Sequence, residues 1–333
     1  MHLKNAMRWL GLAASLAVLL NSAIAADRST RVDWKARIQE LAQPADDEVV
    51  LIATGDALWN RSLIHRQDPA MHALFDLIRA GDISFVNFEQ VLADSGHPVK
   101  VPPAKAESAL LAEFEWAGFD LVSLANNHIM DFGLIGLETT LRALDRTQIK
   151  YSGAGRTLAE ALEPALVERK GLKVALLAFM AGTPFERFSV PATPASPGTA
   201  AIRGTKVRLA SGKAAFSPWE DDMAAMENAI KEAKKSADFV AVSMHTHWPG
   251  DEDDTNGRQL IMRSAIDAGA DAVLGTGPRD VNGIELYNGR PIFHGIGNLV
   301  FQFSPEAYEL FPDTLPYVQE LATDPKYWNG LAI

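Results

Sequence analysis

The chain has 333 residues, 47% of them hydrophobic, which is enough to bury the core of one large domain or two ordinary ones. It contains no Cys, which excludes disulfides, thiolate metal ligands and a Cys nucleophile. A net charge of −11 leaves no excess of cations to displace counterions, which argues against non-specific nucleic-acid binding; an acidic polymer is repelled at long range unless a local basic site receives it.

The first 25 residues read as a secretory signal peptide. Lys4 and Arg8 give a positive start, Leu10 to Leu20 is an uncharged apolar run, and Ala23-Ile24-Ala25 offers small residues for cleavage. The run falls short of the ~20 residues of a membrane span. No Cys follows it, so a lipoprotein anchor is excluded. The expectation is an exported protein, periplasmic or associated with the cell envelope, whose mature chain starts near Ala26. Removing this segment leaves 29 Lys and Arg against 42 Asp and Glu, a net charge of −13. Residues 26–47 form a polar leader with a short helix, and 48–333 form the main domain.

Within that domain, apolar runs of strand length recur at Val49–Ala53, Ile83–Val86, Phe119–Leu124, Val174–Phe179, Phe239–Met244 and Ala272–Leu274. Amphipathic helical stretches lie between several of them. Leu137, Leu141 and Leu144 mark one, and Met223, Met226 and Ile230 another. This alternation predicts an α/β fold, and the near-continuous runs predict strands buried on both faces. Residues 181–219, with four Pro between Pro184 and Pro197, read as a long loop. Ile284 to Tyr287, Asn288-Gly289 and Pro291 to Phe293 read as a β-hairpin with a two-residue turn.

Polar residues follow four of the apolar runs. Gly55-Asp56 follows the first, Asn87-Phe88-Glu89 the second, Asn126-Asn127-His128 with Asp131 the third, and His245-Thr246-His247 the fifth. In open α/β sheets ligands bind outside the carboxyl ends of strands. Each piece alone is ordinary, since a lone Asp after a strand is usually a helix N-cap. Together, carboxylates, amides and imidazoles on one edge suit a divalent cation such as Mn²⁺ or Zn²⁺, and two such cations would polarise an ester and activate water.

These motifs resemble those of the CapA family of poly-γ-glutamate capsule synthesis proteins. The stretch Gly55-Asp56 through Arg61 is similar to the family's opening motif, and Asn87-Phe88-Glu89 to its Asn-x-Glu. The run from Ser123 through Asn126-Asn127-His128 to Asp131-Phe132-Gly133 is similar to its most distinctive motif. Asp238 to His247, Ile266 to Asp271, and Ile296-Gly297-Asn298 complete the order, so the resemblance covers roughly residues 48–303. It implies a metallophosphatase-like fold, a four-layer α/β/β/α sandwich of two mixed sheets flanked by helices, with metals at the strand ends. It implies Asp56, Asn87, Glu89, Asn127, His245 and His247 as metal ligands. His128 would orient or protonate a leaving group, with Asp131 fixing its tautomer. Arg61, Arg279 and Thr276 would face an anionic substrate.

The chain departs from the family at Gly275-Thr276-Gly277-Pro278-Arg279, where relatives carry Gly-His-x-Pro-His. Thr is a poor ligand for a transition metal and Arg cannot bind a cation, so one divalent ion at most is expected. His294 replaces a more usual aromatic and is expected to be an ordinary half-buried imidazole. Relatives continue past a region like Pro325-Lys326-Tyr327-Trp328, which points to a shortened C-terminal end. Two functions follow from the resemblance. One is a metal-dependent hydrolase, of phosphoesters or γ-glutamyl amides, in making or exporting poly-γ-glutamate or another envelope polymer. The other is a non-catalytic member that binds the anionic polymer or the membrane proteins of capsule synthesis.

Overall fold

The computed structural model describes residues 48–100, 103–181, 190–208, 214–246 and 255–302. The signal-like segment, the polar leader, His247 and the C-terminal end after Gln302 lie outside the described residues. In chain order the principal elements begin with β1 (Leu51–Leu58), α1 (Pro69–Arg79), β2 (Ile83–Asn87), α2 (Leu111–Ala117), β3 (Leu121–Ser123), α3 (Gly133–Leu144) and β4 (Lys150–Ser152). They continue with α4 (Leu158–Ala161), β5 (Ala165–Arg169), β6 (Leu172–Ala181), β7 (Ala201–Ile202), α5 (Glu220–Ala233) and β8 (Phe239–Thr246). Last come α6 (Thr255–Asp267), β9 (Ala272–Thr276), β10 (Ile284–Tyr287), β11 (Arg290–Phe293) and β12 (Asn298–Phe301).

Two sheets result. The five-stranded sheet has the order β12-β1-β2-β3-β4 and is parallel in every pairing. The seven-stranded sheet runs β7-β6-β8-β9-β11-β10, with β5 also on β6. Its mixed character comes from two antiparallel pairs, β5 with β6 and β10 with β11. Asn288 and Gly289 both take positive φ, 50° and 74°, as a tight turn between β10 and β11 requires.

Side-chain alternation sorts these strands into layers. Leu51, Ile83, Phe85 and Leu121 of the first sheet pack on Val174, Leu176, Phe239, Ala241, Ala272 and Leu274 of the second. On the far side of the first sheet, Val86 and Val122 meet Phe75 of α1, Phe114 of α2, and Leu137, Leu141 and Leu144 of α3. On the far side of the second, Val240, Val242 and Met244 meet Met226 and Ile230 of α5 and Ile261 and Met262 of α6. The layer order is helix, sheet, sheet, helix, the four-layer sandwich that the family resemblance implies. Each large apolar side chain buried here contributes about 1.5–3 kcal/mol.

Three sequence readings need correction. The stretch 181–219 is not a bare loop. Ala201–Ile202 joins the second sheet, Gly198–Thr199 pairs with Ala154–Gly155, and Gly204–Arg208 pairs with Ala214–Pro218. Strands of two to five residues broken by Gly and Pro leave too little periodicity to be read. The strand predicted over Phe119–Leu124 starts only at Leu121, because Gly118 at φ 88° caps α2 and the chain must then turn. And β1 runs on past Ala53 to Leu58, so Asp56 lies inside the strand, at a shift in its register.

Candidate functional site

Strand register assembles the site. Across the first sheet Asn298, Asp56, Asn87 and Ser123 stand side by side, and across the second His245 stands beside Thr276. Between the sheets the alternate positions that are apolar lower down become polar here, as Phe85 gives way to Asn87 and Leu274 to Thr276. Gly55 permits the approach of β1 to the segment before β12. A Cβ there would lie 1.8 Å from the Gly297 carbonyl oxygen, which accepts the Asp56 N–H at 3.0 Å.

The buried groups form an ordered hydrogen-bond network. Asn126 Nδ2 donates to the Phe88 carbonyl at 2.8 Å and faces Asn87 Oδ1 at 3.4 Å. That sets the Asn87 amide, whose Nδ2 donates to Asp56 Oδ1 at 2.8 Å and lies 3.0 Å from His245 Nδ1. Asp56 Oδ2 also accepts the Gly277 N–H at 2.9 Å, tying β1 to the segment after β9. Gly277 sits at φ 100° with Thr246 O 2.4 Å from where a Cβ would be, so no other residue fits. With Asn87 as donor, His245 Nδ1 accepts, and the proton sits on Nε2, directed at Asn127 Oδ1 3.1 Å away. Thr276 Oγ1 also reaches Nδ1, at 3.1 Å.

A second cluster lies beside the first. His128 Nδ1 is 2.7 Å from Asp131 Oδ2, and Lys100 Nζ is 3.2 Å from Asp131 Oδ1. Asp131 is fully buried and also accepts the Ala104 N–H at 2.7 Å. Lys100 donates as well to the Asn127 carbonyl at 2.5 Å. The Asp131 contact fixes the proton of His128 on Nδ1 and leaves Nε2 as the basic nitrogen. Burial pushes the His128 imidazole below its usual range, helped by the Lys100 charge and opposed by Asp131. Burial likewise lowers the Lys100 ammonium, against the pull of Asp131. Glu89 is pushed up by burial, while His128, Arg279 and Lys100 act in the opposite direction.

Of the residues expected in one cleft, Asp56, Asn87, Glu89, Asn127, His128, Asp131, His245 and Thr276 are brought together. Arg279 joins them through its charge on Glu89; its guanidinium lies over the Phe301 ring, 5.0 Å from the centroid. Its backbone takes φ 61°, an uncommon conformation for a non-Gly residue. Arg61 is exposed, and its backbone N–H donates to Gln302 Oε1 at 2.7 Å. His247 lies outside the described residues. His294, expected to be half-buried, is buried. Its Nε2 meets Glu285 Oε2 at 3.0 Å. Sequence reading missed Lys100, which sits in a loop with no strand end to mark it, and the bracing role of Asn126.

The expected ligands do not all face one point. Asp56 lies 3.9 Å from Nδ1 of His245 and Glu89 lies 3.8 Å from Nε2, on opposite sides of the ring. Among the described residues no group of three or more His, Asp or Glu is gathered for an ion. Counting the Asn127 amide, one set of three donors remains, Glu89 Oε1, Asn127 Oδ1 and His245 Nε2. Using it requires the His245 proton on Nδ1, where Thr276 Oγ1 can accept it. Among the described residues this set fits one divalent ion.

Comparison with known proteins gives a consistent set of likenesses. The family model described as bacterial capsule synthesis protein PGA_cap matches residues 50–303. The PGA biosynthesis protein CapA of Bacillus subtilis is 27% identical over 279 residues, covering 80% of this chain and 67% of the relative. A Mycobacterium tuberculosis protein described as a probable polyglutamine synthesis accessory protein is 30% identical over 278 residues, 76% of this chain and 65% of the relative. An uncharacterized Sinorhizobium fredii protein, y4sH, is 29% identical over 306 residues, 77% of this chain and 66% of the relative. The matched region thus spans about two thirds of the length of these relatives.

Proposed function

Because the chain belongs to the PGA_cap family of bacterial capsule synthesis proteins, we propose that it is an exported accessory protein in the synthesis or export of an envelope polymer of the poly-γ-glutamate type. Its cleft engages the polymer, and its partners are the membrane proteins of capsule synthesis. The observation that carries this reading is a pair of cations at the site of an otherwise acidic chain, Lys100 with its Nζ 3.2 Å from Asp131 Oδ1 and Arg279 with its guanidinium over the Phe301 ring. A net charge of −11 repels a polyanion at a distance, so attraction has to be local, and two cations beside a polar cleft supply it.

A second reading adds catalysis, and the His128–Asp131 pair favours it. With Asp131 holding Nδ1–H, His128 Nε2 can take a proton from water as the water oxygen attacks an amide carbonyl carbon. The same proton then passes to the leaving nitrogen as the C–N bond breaks, giving a carboxylic acid and an amine, which part as carboxylate and ammonium. A divalent ion held by Glu89, Asn127 and His245 would supply polarisation of the carbonyl oxygen.

The test is binding of labelled poly-γ-glutamate to the mature protein, with release of free amine followed in the same samples. Arg279→Ala and Lys100→Met should each weaken binding about tenfold, the loss of one charge-assisted contact. His128→Asn should leave binding intact and abolish any amine release. A protein that ignores the polymer, or binds it equally well without Arg279 and Lys100, would overturn the reading.

A further inference from the structure

In the helix layer outside the first sheet, α2 and α3 leave a pocket of about 540 Å³ between them, lined by Asp94, Ser108, Glu115, Thr139, Arg142 and Arg146 among others. That volume lies within the range of about 300–1,000 Å³ usual for small-molecule sites. Its charges are sorted by wall. Arg142 and Arg146 come from the C-terminal end of α3 and the turn after it, Glu115 from α2 and Asp94 from the segment before α2. Asp94 accepts the Ser108 N–H and the Ser108 hydroxyl, each at 2.7 Å, which holds its carboxyl below the usual range and ties it to the turn leading into α2. On the other wall Arg142 Nε donates to the Glu138 carbonyl at 3.1 Å, one turn back in its own helix, and the Glu138 carboxylate is held by Arg156 at 2.7 and 3.0 Å. Arg79, Arg156, Arg169, Arg203, Arg263 and Arg290 each meet a carboxylate. Among the described residues no ion pair holds Arg142 or Arg146, and both are exposed.

We propose that this pocket is a second carboxylate site, separate from the cleft, in which Arg142 and Arg146 hold the free carboxylates of a γ-linked glutamate chain. This inference rests on the reading of the protein as a binder of such a polymer. Every unit of the chain carries a free α-carboxylate, so a chain held in the cleft still has carboxylates to offer elsewhere. The carboxylate of Glu115 can accept the amide N–H that each unit also carries. The two sites are within reach of one chain. Helix α3 begins at Gly133, two residues after Asp131 of the cleft, and at 1.5 Å per residue Arg142 lies about 14 Å further along its axis. A γ-glutamyl unit has five main-chain bonds and spans about 6 Å when extended, so about three units cover that distance. A long polymer can then occupy both sites at once, and the second contact becomes intramolecular.

The test titrates the full mature protein with γ-linked diglutamate, too short to bridge the sites, and with long poly-γ-glutamate. Diglutamate should bind at two places on each chain, and the long polymer should bind far more tightly than diglutamate. Arg142→Ala combined with Arg146→Ala should remove one diglutamate site and weaken the long polymer by about tenfold or more. Both side chains are exposed, so the melting temperature should hold. A single diglutamate site in the wild type, or long-polymer binding unchanged in the double variant, would overturn the pocket. If Arg279→Ala weakens the polymer and the Arg142/Arg146 variant does not, the pocket alone falls. If the Arg142/Arg146 variant weakens it while Arg279→Ala and Lys100→Met do not, the pocket stands and the cleft loses its role in binding. If the polymer does not bind at all, both readings fall.

Discussion

Asp131 shows how one side chain organises this site. Its two oxygens take Lys100 at 3.2 Å and His128 at 2.7 Å, and a backbone N–H from the 103–106 segment adds a third contact. Removing its charge leaves the Lys100 ammonium, itself largely buried, without its carboxylate. Breaking a buried pair from one side costs about 3–5 kcal/mol. Asp131→Asn should therefore lower the unfolding free energy from urea titration by that amount, whereas loss of an exposed pair such as Arg79–Asp76 should change it by about 0–1 kcal/mol. A midpoint unchanged in Asp131→Asn would show that the pair is not formed in solution. The spacing of His128 and Asp131, three residues apart, is readable from the sequence. That Lys100 completes the group is not, because 28 residues separate it from His128.

At the scale of elements, the end of β9 and the segment after it carry the expectation about metal content. Thr276 and Arg279 stand where the family resemblance implies two imidazoles, and Gly277 donates its N–H to Asp56. Thr276 Oγ1 serves His245 instead of an ion, and the Arg279 guanidinium lies over Phe301. Protein purified without chelator should contain no more than one divalent ion per chain by elemental analysis. Replacing Thr276 and Arg279 together by His should raise that number, since a second ion would then have imidazole ligands and no fixed positive charge against it. Two ions already present in the parent would overturn this account. The strand-end placement of these residues was legible from the apolar runs. Their partition between the two nitrogens of His245 was not, because it depends on how the Asn87 amide is turned by Asn126.

At the scale of the whole molecule, burial of neutral imidazoles makes stability depend on pH. His294 is held below its ordinary value of 6.5 chiefly by burial, with the charges of Arg258 and Arg263 adding to this and Glu285 opposing it. A His whose folded value is depressed binds its proton more readily when unfolded, so stability is full above 6.5 and falls as pH drops from there toward the folded value. His294→Gln should flatten the loss of stability between about pH 7 and 5.5, measured by urea unfolding at several pH values. An unchanged slope would show that His294 does not contribute. Glu89 works with the opposite sign, since burial raises its folded value and its contribution falls as pH rises above its ordinary value of 4.5; the comparison of variant with parent removes this common background.

What the sequence determined by itself was local or periodic. Apolar runs marked the sheet strands, their spacing marked α3 and α5, and the polar residues at the ends of those runs marked the cleft, because a strand buried on both faces needs an unbroken apolar run and a site at its end must break it. Only the tertiary structure decided which of those polar residues face one another. Lys100 reaches Asp131, and Gly277 reaches Asp56 across the two sheets. Hydrogen-bond direction and side-chain burial depend on atoms brought together from distant parts of the chain, and no local pattern encodes that meeting.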